Sequence, residues 1–471
     1  MRAKGYEVTL IDQCQQLGGR AQQYHKDGFI YDAGPTVVTA PFLLEELFNL
    51  FGKQLNDYFT LVPVDPWYRF VYPDGSYFDY GGTVEETIEQ IGLISEKDKQ
   101  GYKNLLAQSE AIFDVGFTQL SSQPFHKIGT MLAQVPALIR LKCYRTVWQM
   151  VSAYLSHDKL RQAFSIQPLL VGGNPFATTS IYSLIHFLER KWGVFFAMGG
   201  TGSIVKGFHK LMIEEGINIQ LDTKVENLIV NNNKITSVNT SKGEMVCDKV
   251  ISNMDPKFLY QSVLDKRHQF FSAKIKTKHA KLSMGLFVLY FGTSTQYPEI
   301  VHHTIWLGKR YKSLLNDIFE RKVLADDFSL YLHRPTATDP SMAPHGCDSF
   351  YVLAPVPNKQ SGIDWAKEQD AYAAKIIQAL EHSIMPGLSE SIVHQFVKTP
   401  DDFQTEYSSV DGSGFSIAPS FQQSAWFRFH NKAEGPENLY LCGAGTHPGA
   451  GVPGVLCSAK VVDKLIPTVK D

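Results

Sequence analysis

The chain has 471 residues, more than one simple core accommodates, so two domains or one domain with a large insertion are expected. A hydrophobic content of 44% with 12% aromatics fits a globular protein with a large apolar interior. The formal net charge of −2, a pI near 6.7 and the lack of any basic run argue against nucleic acid as a partner.

No apolar run reaches the roughly 18 residues of a membrane span; Leu282–Phe291 comes closest and reads as a strand. The start, Met-Arg-Ala-Lys-Gly, has no apolar h-region, so no signal peptide is expected. Cys14, Cys143, Cys247, Cys347, Cys442 and Cys457 show no metal-binding spacing and read as reduced, cytosolic thiols. No metal is expected.

In chain order, Glu7–Asp12 reads as a short buried strand ending in a carboxylate. In dinucleotide folds such a carboxylate, at the end of the second strand, binds the adenosine ribose. The phosphate-cradling G-x-G-x-x-G belongs about 20 residues earlier, yet only 11 residues precede Asp12. Met1–Lys4 reads as the tail of a crossover helix capped by Gly5. The first strand and glycine loop are therefore expected upstream of residue 1, as in a truncated N-terminus. Leu17–Arg20 then offers glycine backbone and a cation to a pyrophosphate, with Arg20 as a solvated surface residue the alternative. Tyr31–Thr36 is a second Gly/Pro turn after a strand.

Arg69–Tyr72 and Ser76–Tyr80 flank Pro73-Asp-Gly75, a hairpin. From Val84 to about Leu155 apolar residues recur at three and four, predicting several amphipathic helices, with Pro136 starting or kinking one. Pro124–Lys142 combines bulky apolar groups with flanking cations, a pattern that suits either a helix in a bilayer interface or one packed on the protein's own core. A helix over Ile204–Glu215 stops at Gly216, and strands follow at Ile217–Leu221, Val225–Val230, Lys234–Asn239 and Met245–Ser252. Gly216–Asp222 echoes Gly5–Asp12 as helix, Gly stop, strand and Asp. Both read as crossover returns into a parallel sheet.

The most informative stretch is Asn438–Gly454. A strand over Leu439–Cys442 runs into a glycine-rich turn (Gly443, Gly445, Gly449, Gly451, Gly454) and then a helix starting near Pro453. That arrangement points free N–H groups and a positive dipole end at an anionic or polar ligand; an ordinary Gly/Pro loop is the alternative. His447 lies inside it, as a flavin-loop residue or as a turn residue on a backbone carbonyl.

Taken together, the motifs and their order resemble the bacterial-type phytoene desaturases, FAD-dependent carotenoid desaturases of the flavin amine-oxidase-like superfamily. The matching runs include Leu160–Phe164, Leu169–Phe176, Ser180–His186, Met198–Gly202, Leu286–Gly292, Ala325–Leu332, Phe350–Pro357, Gln423–Arg428 and Gly443–Gly454. The resemblance implies an α/β fold. A discontinuous Rossmann-type FAD-binding domain (1–66, 196–258 and 424–471) is interrupted by a largely helical substrate or membrane insertion (67–195) and a substrate domain (259–423). It implies FAD held by Asp12, Gly19, Arg20, Gly34, Pro35, Thr36, Val225, Gly443, Gly445, Thr446, Val452, Pro453 and Gly454. Asp158 and Arg161, beside the Leu160–Phe164 run, are the candidates for acid–base catalysis; an i,i+3 ion pair on a helix face is their structural alternative.

The implied reaction is desaturation of phytoene toward lycopene, with a quinone or dioxygen as electron acceptor. The implied location is cytoplasmic and peripherally membrane-associated. Three alternatives stay open: a C30 carotenoid desaturase, a redox-neutral carotenoid isomerase, and a non-catalytic prenyl-lipid-binding protein.

Overall fold

A computed structural model describes residues 1–469. The parallel strand pairs join distant stretches of chain, because each parallel return needs a crossover. Thr9–Ile11 pairs in parallel with Asn218–Gln220 in the register Thr9↔Asn218, and the helix Thr201–Glu214 is the crossover before the second strand. Val250–Ser252 pairs in parallel with Leu439–Leu441, which feeds the helix Val452–Leu465. Among the described residues these are two separate two-stranded pieces. The expected return through Gly216 is present, and the strand after Gly5 takes its expected parallel place. Gly5, at φ 86°, ends a short 3-10 turn over Arg2–Lys4, not a full helix turn.

Val225–Asn231, Lys234–Thr240 and Gly243–Val246 form an antiparallel meander. The single strand expected over Met245–Ser252 is therefore two strands. Gly243–Val246 closes the meander, whereas Val250–Ser252 leaves it to pair with Leu439–Leu441, so the chain must turn at Cys247–Lys249.

The second sheet has seven strands. Its order runs from Ile392–Lys398 through Gly285–Thr293, Asp348–Val356, Leu330–His333, His303–Trp306 and Tyr68–Val71 to Tyr77–Tyr80. The predicted Pro73–Gly75 hairpin is present, with Tyr68 opposite Tyr80. Its first strand pairs in parallel with His303–Trp306, so the beginning of the 67–195 insertion and the 259–423 region share one sheet. Gly285–Thr293 is buried along its whole length. Phe287, Leu289 and Phe291 pack with Trp365, Tyr372 and Ile376 of the helix Trp365–Glu381. Leu286, Val288 and Tyr290 belong to the large core on the other face. That period of two matters for function, since Leu286 and Val288 also line the central cavity.

The predicted amphipathic helices appear as Val84–Ile94, Asp98–Phe113, Ile128–Arg140 and Val147–Tyr154. Capping boxes start two of them, Thr83 with Glu86 and Thr146 with Gln149, satisfying N–H groups that a helix start leaves bare. Pro136 sits inside Ile128–Arg140. Among the described residues no helix is long and apolar enough to cross a membrane.

Candidate active site

A cavity of about 1010 Å³ is lined by the parallel-stranded pieces, the seven-stranded sheet and the helices between residues 84 and 192. One part of its wall is backbone and polar; the remainder is hydrocarbon. The polar part gathers the ends of four turns. Asp12, at the end of the first strand, accepts a hydrogen bond from the Cys14 N–H through Oδ1 at 2.7 Å and lines the cavity. Gly19 and Arg20 follow, and Val225 lies beside them at the start of the meander.

Gly34, Pro35 and Thr36 form the next part of the wall. A Cβ on Gly34 would stand 1.8 Å from the Arg20 carbonyl oxygen, so only glycine lets the two turns meet. The Thr36 hydroxyl bonds the hydroxyls of Tyr351 at 2.7 Å and Tyr331 at 3.0 Å.

Arg20 is the fixed cation of this wall. Its guanidinium donates to the Ser409 hydroxyl and lies over the Tyr407 ring, while the buried Nε has no partner. Burial holds its pKa below the ordinary value, with Asp255 and Tyr407 opposing that shift. A buried guanidinium N–H without an acceptor is costly and suits a diphosphate bound in the cavity.

The loop after Leu439–Leu441 completes the wall. Gly443, Val452, Pro453 and Gly454 line the cavity. The helix Val452–Leu465 starts from Gly451 without a side-chain cap, leaving its first N–H groups for a ligand. Gly454 packs the first helical turn onto the loop, since a Cβ there would meet the Gly449 carbonyl at 2.6 Å. Gly445 and Thr446 stand elsewhere. Neither lines the cavity, and a Cβ on Gly445 would strike Pro256 and Ser416 at 2.3–2.7 Å. Gly445 is thus glycine because the loop packs on the protein behind it. Thr446 holds the loop from within, donating to the Gly443 carbonyl at 2.9 Å. His447 donates through Nε2 to the Leu120 carbonyl at 3.0 Å, and burial lowers its pKa to about 4. It is a neutral residue at the cavity wall.

Two residues that sequence reasoning missed complete the geometry. Asp255 is buried at the cavity wall. Its Oδ1 caps the N–H groups of Lys257 and Phe258 at 2.8 and 3.3 Å, and its Oδ2 has no partner. Burial raises its pKa. Asp followed by Pro256 is a helix-start signal that the sequence does display. Arg428, 1% exposed, donates to the carbonyls of Thr446 at 2.9 Å, Ala444 at 2.6 Å, Ile417 at 3.0 Å and Gln423 at 3.2 Å. It clamps the glycine loop from behind. A lone arginine carries no signal for that role in sequence.

Beyond the turns the cavity is apolar, walled by Leu138, Ile181, Leu188, Leu286, Val288 and Ile305 among others. Glu189 is an ionisable exception. Its Oε1 accepts from the Tyr68 hydroxyl at 2.9 Å, and burial pushes its carboxyl up to about 8. Asp158 and Arg161 are not in this wall. They form an i,i+3 ion pair of 3.1 Å on the helix Asp158–Phe164, with side chains 77% and 28% exposed.

The turns, the unpartnered Arg20 Nε and the open helix start together fit a dinucleotide cofactor, with space left over for an apolar molecule. Comparison with known proteins agrees. The chain is 45% identical to the lycopene-forming phytoene desaturase of Pseudescherichia vulneris over 468 residues, 99% of this chain and 95% of the relative. It is 43% identical to that of Pantoea ananas with the same coverage. Among solved structures, an oxidoreductase from Methanosarcina mazei aligns with a TM-score of 0.65 at 14% identity, covering 98% of this chain and 96% of that one, a likeness of fold. The family model described as flavin containing amine oxidoreductase matches residues 1–462, and the chain belongs to that family.

Proposed function

We propose that this chain is an FAD-dependent desaturase that converts phytoene to more conjugated carotenes such as lycopene. The observation that carries this reading is a cavity in which a glycine-lined polar wall continues into an apolar space. A hydrocarbon substrate offers no group to hydrogen-bond, so shape and apolar contact must position it. When bound, the flavin supplies the electron acceptor that an unactivated C–C pair requires.

The chain's own residues then bind, orient and exclude water. Asp12 would hold the adenosine ribose hydroxyls, and the Gly19–Arg20 turn with the Val452 helix start would receive the pyrophosphate. Gly34–Thr36 and Gly443–Gly454 shape the space for the flavin. Leu286, Val288, Ile305 and their neighbours keep water from the reacting carbons. Turnover would need a quinone or dioxygen as the final electron acceptor.

Substrate dissolved in a bilayer must reach the cavity from a membrane surface, and the helix Ile128–Arg140 supports a peripheral contact there. Met131, Gln134 and Leu138 line the cavity, while Ile128, Leu132 and Ile139 are 54%, 62% and 61% exposed. One helix thus offers apolar groups both inward and outward. The enzyme is cytoplasmic and membrane-associated in this reading.

The test is incubation of the FAD-loaded chain with phytoene in liposomes and a quinone, without oxygen, followed by chromatography of the pigments. Stepwise desaturated carotenes are expected. Tight phytoene binding with no product from a flavin-loaded chain would refute the reading.

A further inference from the structure

A second polar cluster, outside the cavity wall, has no part in the chemistry above. His302, His303 and His333 meet inside the seven-stranded sheet, 3%, 0% and 0% exposed. His303 and His333 are register partners across the strands His303–Trp306 and Leu330–His333, and His302 immediately precedes the first strand. One ring nitrogen from each lies within 4.8 Å of the other two. His302 Nε2 and His333 Nε2 share a hydrogen bond at 3.1 Å, which a shared metal ion would replace. Two imidazole nitrogens on one tetrahedral zinc ion are separated by about 3.3 Å, so this pair is nearly at ligand spacing.

Hydrogen bonding alone leaves the cluster incomplete. His302 Nδ1 meets the Thr338 hydroxyl at 2.6 Å, and His303 Nδ1 meets the Tyr331 hydroxyl at 2.7 Å. His303 Nε2 and His333 Nδ1, both buried, have no partner. Each neutral imidazole has one N–H and one lone pair to place, and a buried one left unpaired is unfavourable. Hydroxyls that hold the outer ring nitrogen are the arrangement that orients metal-binding imidazoles. The nearby cation Arg334 is itself paired with Asp348 at 2.9 Å.

We propose that His302, His303 and His333 form a binding site for a divalent transition-metal ion of the zinc class, held by imidazole nitrogens. All-imidazole sets suit zinc, cobalt, nickel and copper rather than magnesium or calcium. None of the three lines the cavity, so the ion's role is to clamp two strands of the sheet. The clamp reaches the substrate side through Tyr331, which joins His303 to Thr36 at the cavity wall.

The experiment uses the full chain, purified without a histidine tag, stripped with a chelator and dialysed against Zn²⁺ or Co²⁺. One metal per chain by elemental analysis is expected, with visible d–d bands for the cobalt form and a higher midpoint of thermal unfolding. His333→Gln and His303→Gln are expected to lose the bound metal and the bands. Thr338→Val, which keeps all three ligands, is expected to weaken binding roughly 10–100-fold. A folded wild-type chain that retains only background metal after dialysis would overturn the site. So would cobalt spectra unchanged by His333→Gln. Neither readout depends on carotenoid turnover.

Discussion

Arg428 tests the account of the cofactor loop most directly. It is buried, forms no salt bridge among the described residues, and donates to four carbonyls, two of them, Ala444 and Thr446, within the loop. Arg428→Met keeps the bulk and removes the donors. Each buried acceptor left unpaired costs ~1–3 kcal/mol, so the two loop carbonyls set a loss of ~2–6 kcal/mol. Removing a buried charge offsets part of that, leaving ~2–4 kcal/mol. If the loop must be in place for the flavin, affinity falls by roughly 30- to 1000-fold. Arg428→Lys should be intermediate, because an ammonium has three donors at one point and not a fork. The assay is a fluorescence titration with FAD beside the flavin-to-protein absorbance ratio after gel filtration. An Arg428→Met chain that binds FAD as tightly as wild type would refute the clamp.

Asp12→Ala is expected to weaken FAD binding by ~1–3 kcal/mol through loss of a charge-assisted bond, and Asp12→Glu by less; unchanged affinity would reduce Asp12 to the turn bond it makes with Cys14. Glu189 is pushed from its ordinary 4.5 up to about 8 by burial, so the folded chain holds this proton more tightly than the unfolded chain does. Its contribution to stability is complete below pH 4.5 and declines as pH rises to about 8. Tyr68 and Arg190 both favour the carboxylate, against burial. Glu189→Gln should therefore match wild type in acid and exceed it in base, by up to about 5 kcal/mol, in denaturant titrations at both pH values; equal stability at both would show the carboxyl to be solvated. Leu132→Glu with Ile139→Glu should lower the fraction of protein that floats with liposomes while leaving FAD binding intact, and unchanged flotation would remove the helix Ile128–Arg140 from the membrane contact. Asp158→Ala, which breaks only an exposed pair, should cost under about 0.5 kcal/mol; a large loss of turnover at unchanged stability would return Asp158 to the chemistry.

Local signals carried most of the cofactor side. Strand-end Asp12, the Gly34 turn and the Asn438–Gly454 run are each written in consecutive residues, because turn geometry and helix starts depend on near neighbours. The same holds for the Pro73–Gly75 hairpin and for the crossover return through Gly216. Predicted strand limits moved by a residue or two. The larger change, at Cys247–Lys249, came from a partner, Leu439–Leu441, nearly two hundred residues away in the chain.

What sequence by itself determined is therefore the fold class, the family resemblance and the presence of the Gly/Pro turns. Only the tertiary structure decided which of those turns face the cavity. Gly445 and Thr446 look like Gly443 and Gly454 in sequence, yet they face Pro256 and the loop's own carbonyls. Burial and long-range approach likewise made Arg428 a clamp and Asp255 a wall residue, and brought His302 and His303 to His333. Asp158 and Arg161 stayed outside as a surface pair. Local dihedral preferences reach only a few residues along the chain, whereas a side chain's role depends on what packs against it from elsewhere.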